Sequence, residues 1–233
     1  MIAVVALATQ ANAAITLATE TFSYPDGALV PNGGWANQSG TAGTLLVASG
    51  AAVVTQNSGS EDAELVFANN LTVGVVTATF DINVTAPGAM TGTGFEYFAH
   101  FSDDTTFAFT SRLDVVTPSA GGDYTLGISS TTSTAEDTLP TDFSFGTVVP
   151  VSISFDLNTG TGSLTAGGNT VSGSALGAGE IIDAFNLRQA NSTSDETITV
   201  DNLVVTYVPE PASIALVALG ALALAGLGRR SGR

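Results

Sequence analysis

His100 is the sole histidine of the chain and stands four residues after Glu96 in the segment FEYFAHF. On an extended strand, residues two apart share a face, so Glu96, Phe98 and His100 align on one side. Phe95, Tyr97, Ala99 and Phe101 take the other. A hydrolase could use Glu96 as an acid or nucleophile beside that imidazole. Hydrolysis of a glycosidic bond, however, needs two carboxylates at workable separation. The one compact acidic group, Glu61, Asp62 and Glu64, reads instead as a loop entering a strand. No G-x-S-x-G elbow accompanies the many serines. No residue is therefore assigned a catalytic role.

Other residues could bind rather than react. Trp35, the only tryptophan, lies in PNGGWANQSG beside Asn37 and Gln38, with Tyr24 upstream in SYPDG. An aromatic ring flanked by amides can take the face of a sugar; the same ring tucked against the end of a fold anchors a loop. Asp103 and Asp104, like the Glu61 group, are hard oxygen donors of the kind Ca²⁺ takes, or else solvated loop charge. No EF-hand loop is present, and no other cofactor is indicated. The only cations outside the last few residues are Arg112 and Arg188. Both suit pairing with carboxylates, and Arg188, at a strand end, also suits a ligand contact.

Composition narrows the partners. The chain of 233 residues has net charge −16, no lysine and no cysteine. Such a surface repels phosphate backbones, which excludes nucleic acid as a partner. Without cysteine there is no disulfide framework, and a chain this long needs none to build a core.

The elements that must position these residues read as strands. Val76, Ala78, Phe80, Ile82 and Val84 alternate with Thr77, Thr79, Asp81, Asn83 and Thr85. Val149, Val151, Ile153, Phe155 and Leu157 alternate with Pro150, Ser152, Ser154 and Asp156. Period-two alternation of this kind marks half-buried antiparallel strands. Turn residues punctuate them at Ser102-Asp103-Asp104-Thr105, Asn158-Thr159-Gly160 and Gly167-Gly168-Asn169. About ten to twelve strands at this spacing predict an all-β fold, a two-sheet antiparallel β-sandwich. The segment ETITVDNLVVTY slips phase between Val200 and Leu203, so a bulge is expected at Asp201-Asn202.

The two ends differ from the body. MIAVVALATQANAAITL opens with an apolar run and an Ala11-Asn12-Ala13 pattern that a signal peptidase accepts, although the usual basic start is missing. Residues 1–13 are thus expected to be a signal peptide; the alternative is a first strand starting at Met1. At the other end, VPEPASIALVALGALALAGLGRRSGR holds a run without polar side chains at 214–228. As a helix it would be about 22 Å long, short of the ~30 Å hydrocarbon core. Arg229, Arg230 and Arg233 follow it, and the positive-inside rule keeps them in the cytoplasm with the body outside. Pro209 and Pro211 hold the tripeptide before the run extended and accessible.

Pro209-Glu210-Pro211, a short apolar segment and a terminal arginine cluster together resemble the PEP-CTERM sorting signal of Gram-negative, exopolysaccharide-producing bacteria. The resemblance implies a membrane enzyme, exosortase, that reads Pro209, Glu210 and Pro211 and removes the tail, with Arg229 and Arg230 as the cytoplasmic stop. The body is similar to concanavalin A/laminin-G-like jelly-roll proteins in TFSYPDGALVPNGGW, FDLNTGTGSLTA and IIDAFNLRQANSTSDETITVDNLVVTY. That likeness implies a jelly roll. It assigns no activity, since lectins, glycosidases and inert modules share the architecture. The tight E-x-D-x-x-E carboxylate cluster of laminarinase-like relatives is missing.

The expected organisation is a signal peptide at 1–13, a β-sandwich at 14–207 and a sorting tail at 208–233 with a single apolar transmembrane helix at 212–228. The expected function is that of a non-enzymatic exported protein, held in the inner membrane until exosortase acts. It would then serve as a surface or extracellular-matrix component associated with exopolysaccharide. A glycan-binding, lectin-like module using Trp35 or Tyr24 is the alternative, and a polysaccharide hydrolase the third reading.

Overall fold

The computed structural model describes residues 12–90, 97–103, 108–190 and 195–210. The expected signal peptide up to Ala11 and the expected helix at 212–228 lie outside the described residues, as do Glu96, Asp104, Pro211, Arg229 and Arg230. Among the described residues no helix is long and apolar enough to cross a membrane.

Two antiparallel sheets face each other. The larger contains β1 (Ile15–Glu20), β2 (Gly27–Ala28), β4 (Leu46–Ala48), β5 (Ala51–Thr55), β7 (Val75–Thr85), β12 (Val148–Asp156), β13 (Thr161–Ala166), β14 (Asn169–Ser172) and β16 (Thr197–Val208). Its strands run in the order β14-β13-β12-β7-β16-β5-β4-β2, with β1 on β16 as well. The smaller contains β3 (Trp35–Ser39), β6 (Asp62–Leu71), β8 (Tyr97–Asp103), β9 (Ala108–Val116), β10 (Thr125–Ser129), β11 (Asp137–Thr138) and β15 (Ile182–Arg188). Its order is β11-β10-β9-β8-β15-β6-β3. This is a two-sheet jelly roll, as the alternation predicts. Among the described residues sixteen strands appear rather than ten to twelve, because β2, β4, β11 and β14 are too short to show a period.

Alternation places the core. On β7, Val76, Ala78, Phe80, Ile82 and Val84 point inward, and Val151, Ile153 and Phe155 of β12 do the same beside them. Fully burying a valine, isoleucine or phenylalanine contributes about 1.5–3 kcal/mol, so these rows drive the stacking of the sheets. Strand β16 needs a correction halfway. Its register against β7 shifts between Asp201 and Val204, with Asn202 at φ 55. Asparagine tolerates that left-handed backbone better than most residues. The shift brings Ile198, Val200, Leu203 and Val205 all to the inside, each fully buried.

The ends of the described chain meet. Ile15 of β1 lies opposite Tyr207 of β16. Beyond them the Asn12 amide donates to the carbonyls of Pro209 at 3.2 Å and Glu210 at 2.8 Å.

One surface carboxylate ties loops of the two sheets together. Glu136 accepts hydrogen bonds from the backbone N–H groups of Ser130 (3.1 Å), Thr131 (2.9 Å) and Ser174 (2.6 Å), and from the Thr131 hydroxyl. Burial alone would raise this carboxyl, but the donated hydrogen bonds outweigh it and bring it from 4.5 down to about 2. A carboxyl lowered on folding stabilises the fold fully above its unfolded value. That contribution is lost as pH falls through the folded one. Melting temperature should therefore drop between about pH 5 and pH 2. Glu136→Gln should flatten the part of that drop due to this group; an unchanged profile would remove Glu136 from the account.

Candidate functional site

The aromatic residues singled out for sugar contact converge on Glu20, at the end of β1. Its carboxylate accepts the Phe22 N–H at 2.6 Å, the Tyr24 hydroxyl at 2.6 Å and the Trp35 indole N–H at 3.2 Å. Trp35 is 2% exposed, with Phe22 stacked at 6.1 Å and Phe185 edge-on at 6.5 Å. A ring covered in this way offers no face to a sugar. It is the loop anchor of the two readings given above. Tyr24 is half-buried; burial, aided by its hydrogen bond to Glu20 and by the carboxylate charge, pushes its phenol up to about 12. Gly33 completes the arrangement. It sits at φ 58, and a Cβ there would fall 1.8 Å from the Tyr24 oxygen. Sequence reasoning missed Glu20 because a carboxylate fifteen residues before a tryptophan carries no spacing signal.

The polar side chains gather elsewhere, on the outer face of the seven-stranded sheet. Register fixes the arrangement: Ala36 of β3, Glu64 of β6, Asn186 of β15 and His100 of β8 lie directly opposite one another in turn. The neighbouring rank pairs Asp62 with Arg188, and a third pairs Ala184 with Ser102. Asp62 stands 3.7 Å from His100 Nε2 and 3.6 Å from Arg188 Nε, and accepts the Ser39 hydroxyl at 3.2 Å. Ser102 donates to Asn186 Oδ1 at 2.6 Å and receives the Gln38 amide at 3.3 Å. The Arg188 guanidinium lies over the Tyr97 ring at 4.3 Å, within cation–π range. The structure thus brings Asp62 and Glu64 of the acidic group together with His100 and Arg188, which the sequence offered apart from it.

Two expectations need correcting. His100 does not share its face with Phe98. Irregular register on either side of Ala99 sends Phe98 into the core and brings the Tyr97 ring to within 5.2 Å of the imidazole. Asp103 is not in a loop: it closes β8 opposite Ala108 and is 3% exposed. Among the described residues no group of three histidine, aspartate or glutamate side chains could hold a metal ion. Glu61 is also structural. Its carboxylate accepts the N–H groups of Thr44 and Leu45, both at 2.7 Å. Arg112 donates to the Ser130 carbonyl at 3.1 Å and to the Thr132 carbonyl at 2.5 Å.

The polar face is closed as well as dense. His100, Ser102 and Asn186 are fully buried, and Asp62 nearly so. His100 Nε2, Asn186 Nδ2, Asp62 Oδ1 and Gln38 Oε1 find no hydrogen-bond partner among the described residues. Buried polar atoms of this kind normally find one. Chemically the patch combines acceptors, donors and a cation over an aromatic ring.

Residues 208–231 match the model of the PEP-CTERM protein-sorting motif. The chain thus carries the sorting motif of exported, exosortase-processed proteins. No curated protein matches the sequence. Among solved structures, the lectin UEA-II complexed with galactose is similar at TM-score 0.50 and 16% identity, over 85% of this chain and all of that one. Peanut lectin with a nine-residue peptide gives TM-score 0.50 and 13% identity, over 84% of this chain and 97% of that one. A sialidase gives TM-score 0.51 and 12% identity, over 80% of this chain but only 18% of that one. At such identities the likeness shows a shared lectin-like sandwich fold.

Three substitutions test these assignments by their effect on stability. Glu20→Ala leaves three donors without their acceptor and should cost about 3 kcal/mol in urea unfolding. A cost under about 0.5 kcal/mol would be too small for that acceptor role. Asp62→Ala strips the carboxylate from His100 and Arg188 and should cost about 2 kcal/mol, between the values of exposed and buried pairs. Ser39→Ala should cost about 1 kcal/mol or less.

Proposed function

We propose that this chain is an exported, non-catalytic β-sandwich that exosortase frees from its tail, after which it serves as a surface or extracellular-matrix component beside exopolysaccharide. The observation that carries the reading is the sorting motif at 208–231, joined directly to the last core strand, which ends at Val208. In this reading signal peptidase removes residues 1–13 on export. Pro209, Glu210 and Pro211 are the recognised tripeptide, 212–228 holds the precursor in the inner membrane, and Arg229 and Arg230 stop the tail in the cytoplasm. Enclosure of His100 and Asp62 supports a binding or structural role over turnover, because a general acid or base must reach the proton it moves.

A carbohydrate-binding role is the second reading. It is favoured by the sandwich fold shared with the galactose-complexed lectin UEA-II.

Expression in a Gram-negative host with and without exosortase tests the first reading. With the enzyme, intact-mass measurement should find the tail gone; without it, the full tail should remain in the membrane fraction. Glu210→Ala should leave the precursor unprocessed in both hosts. Recovery outside the cell of a product still ending in Arg233, in the host with the enzyme, would overturn the reading.

A further inference from the structure

The outer face of the nine-stranded sheet carries a pattern that sorting does not explain. Followed through the register, Ser172, Ser163, Ser154, Thr77, Thr206 and Thr16 stand directly opposite one another across six strands, from β14 through β13, β12, β7 and β16 to β1. Two residues further along most of these strands, Thr170, Thr165, Ser152, Thr79, Val204 and Thr19 form a second transverse line. Eleven of these twelve side chains bear a hydroxyl and none bears a charge, in a chain of net charge −16. All twelve are exposed or half-buried.

Threonine is a good strand former, so one exposed threonine needs no special cause. Alignment without any charge over six strands does, because soluble faces normally intersperse charges of both signs. Neighbouring strands lie about 4.8 Å apart, so each line runs roughly 24 Å, with about 6.8 Å between the lines. A shallow groove of about 590 Å³ opens along the second line; Thr79, Ser152, Thr165, Gly167 and Asn202 line it together with one acidic residue, Asp81, which adds to the repulsion of anions.

The chemistry of the face selects its partner. The lines hold a single apolar residue, Val204, so a greasy protein or lipid surface finds little to bury against. They hold no cation, and the surrounding acidity repels polyanions. What remains is an uncharged partner rich in groups that, like the hydroxyls here, both donate and accept. An extended chain of pyranose sugars advances per sugar by nearly the step between strands, so successive sugars laid across the sheet meet successive strands. We propose that this face is a docking surface for an uncharged, extended polysaccharide running across the strands. The proposal rests on the matrix reading above and names the chemical class of its partner. Each hydroxyl contact adds only about 1 kcal/mol net, so binding grows with the number of strands covered.

Affinity electrophoresis of the full chain in mild detergent, through native gels containing hydroxyethyl cellulose or alginate, tests it. Retardation should appear with the uncharged polymer, be absent with alginate, and fade for oligosaccharides shorter than the lines. The combined variant Thr77→Val, Thr79→Val and Ser154→Ala keeps shape and strand propensity while removing three central hydroxyls, and should weaken binding at least tenfold. Thr165→Val with Thr170→Val, on the outer hairpin where these hydroxyls bond each other at 2.8 Å, should weaken it about tenfold with an unchanged melting curve. This pair keeps the question open to measurement if the central variant does not fold. No retardation by hydroxyethyl cellulose, stronger retardation by alginate, or binding unchanged in a folded variant would each overturn the proposal. Adsorption to growing ice without retardation by the polymer would do so too, assigning the lines to ordered water. Loss of the tail by exosortase is read separately, so failure here does not count against the sorting reading.

Discussion

The ladder between β7 and β16 is the seam on which the sandwich depends, and one backbone irregularity makes it work. In a strand the side chains alternate strictly, so a one-residue slip exchanges the buried and wet faces. Without the shift at Asp201 and Asn202, either Ile198 and Val200 or Leu203 and Val205 would point to water. With it, both pairs are buried. The same strand then serves two partners on one side, β5 along its first half and β1 along its second. The hydroxyl lines cross only the second half, where Val204 and Thr206 stay in step with β7. The bulge therefore sets the core and also the extent of the outer pattern.

Much of this was readable from residue order. Alternation located the long strands, the Gly167-Gly168 turn and the slip in the last strand, because each is a local matter of period or backbone freedom. Other features are not local. Trp35 was legible as an aromatic among amides, but its burial depends on Glu20, Phe22 and Phe185, the last coming from β15, two strands away in the same sheet but far along the chain. His100 was assigned the wrong neighbour because irregular register near Ala99 cannot be seen in a run of aromatics. Asp103 looked like loop charge since nothing in FSDDTT says where pairing ends. The gathering of Asp62, Glu64, His100 and Arg188 follows from the order β8-β15-β6, which joins segments far apart in the chain.

The outer faces of the two sheets solve opposite problems. On the smaller sheet, ionisable groups are enclosed and must satisfy one another, as Asp62 does between His100, Arg188 and Ser39. Desolvation makes each such contact consequential and each unmatched atom costly. On the larger sheet, hydroxyls stay in contact with water and little is lost by leaving them there. One face is a place for a few strong contacts, the other for many weak ones.

Proximity of the two ends of the described chain has a mechanical consequence. Pro209 follows the last residue of β16 directly, and that strand is hydrogen-bonded on both sides along most of its length. A pull on the end of the chain is directed along β16, across hydrogen bonds that lie perpendicular to it, so many bonds share the load at once. A tug between Ile15 and Tyr207 instead parts β1 from β16 one rung at a time, beginning at that pair. The sandwich is thus stiff towards traction along β16 and yielding towards separation of β1 from β16.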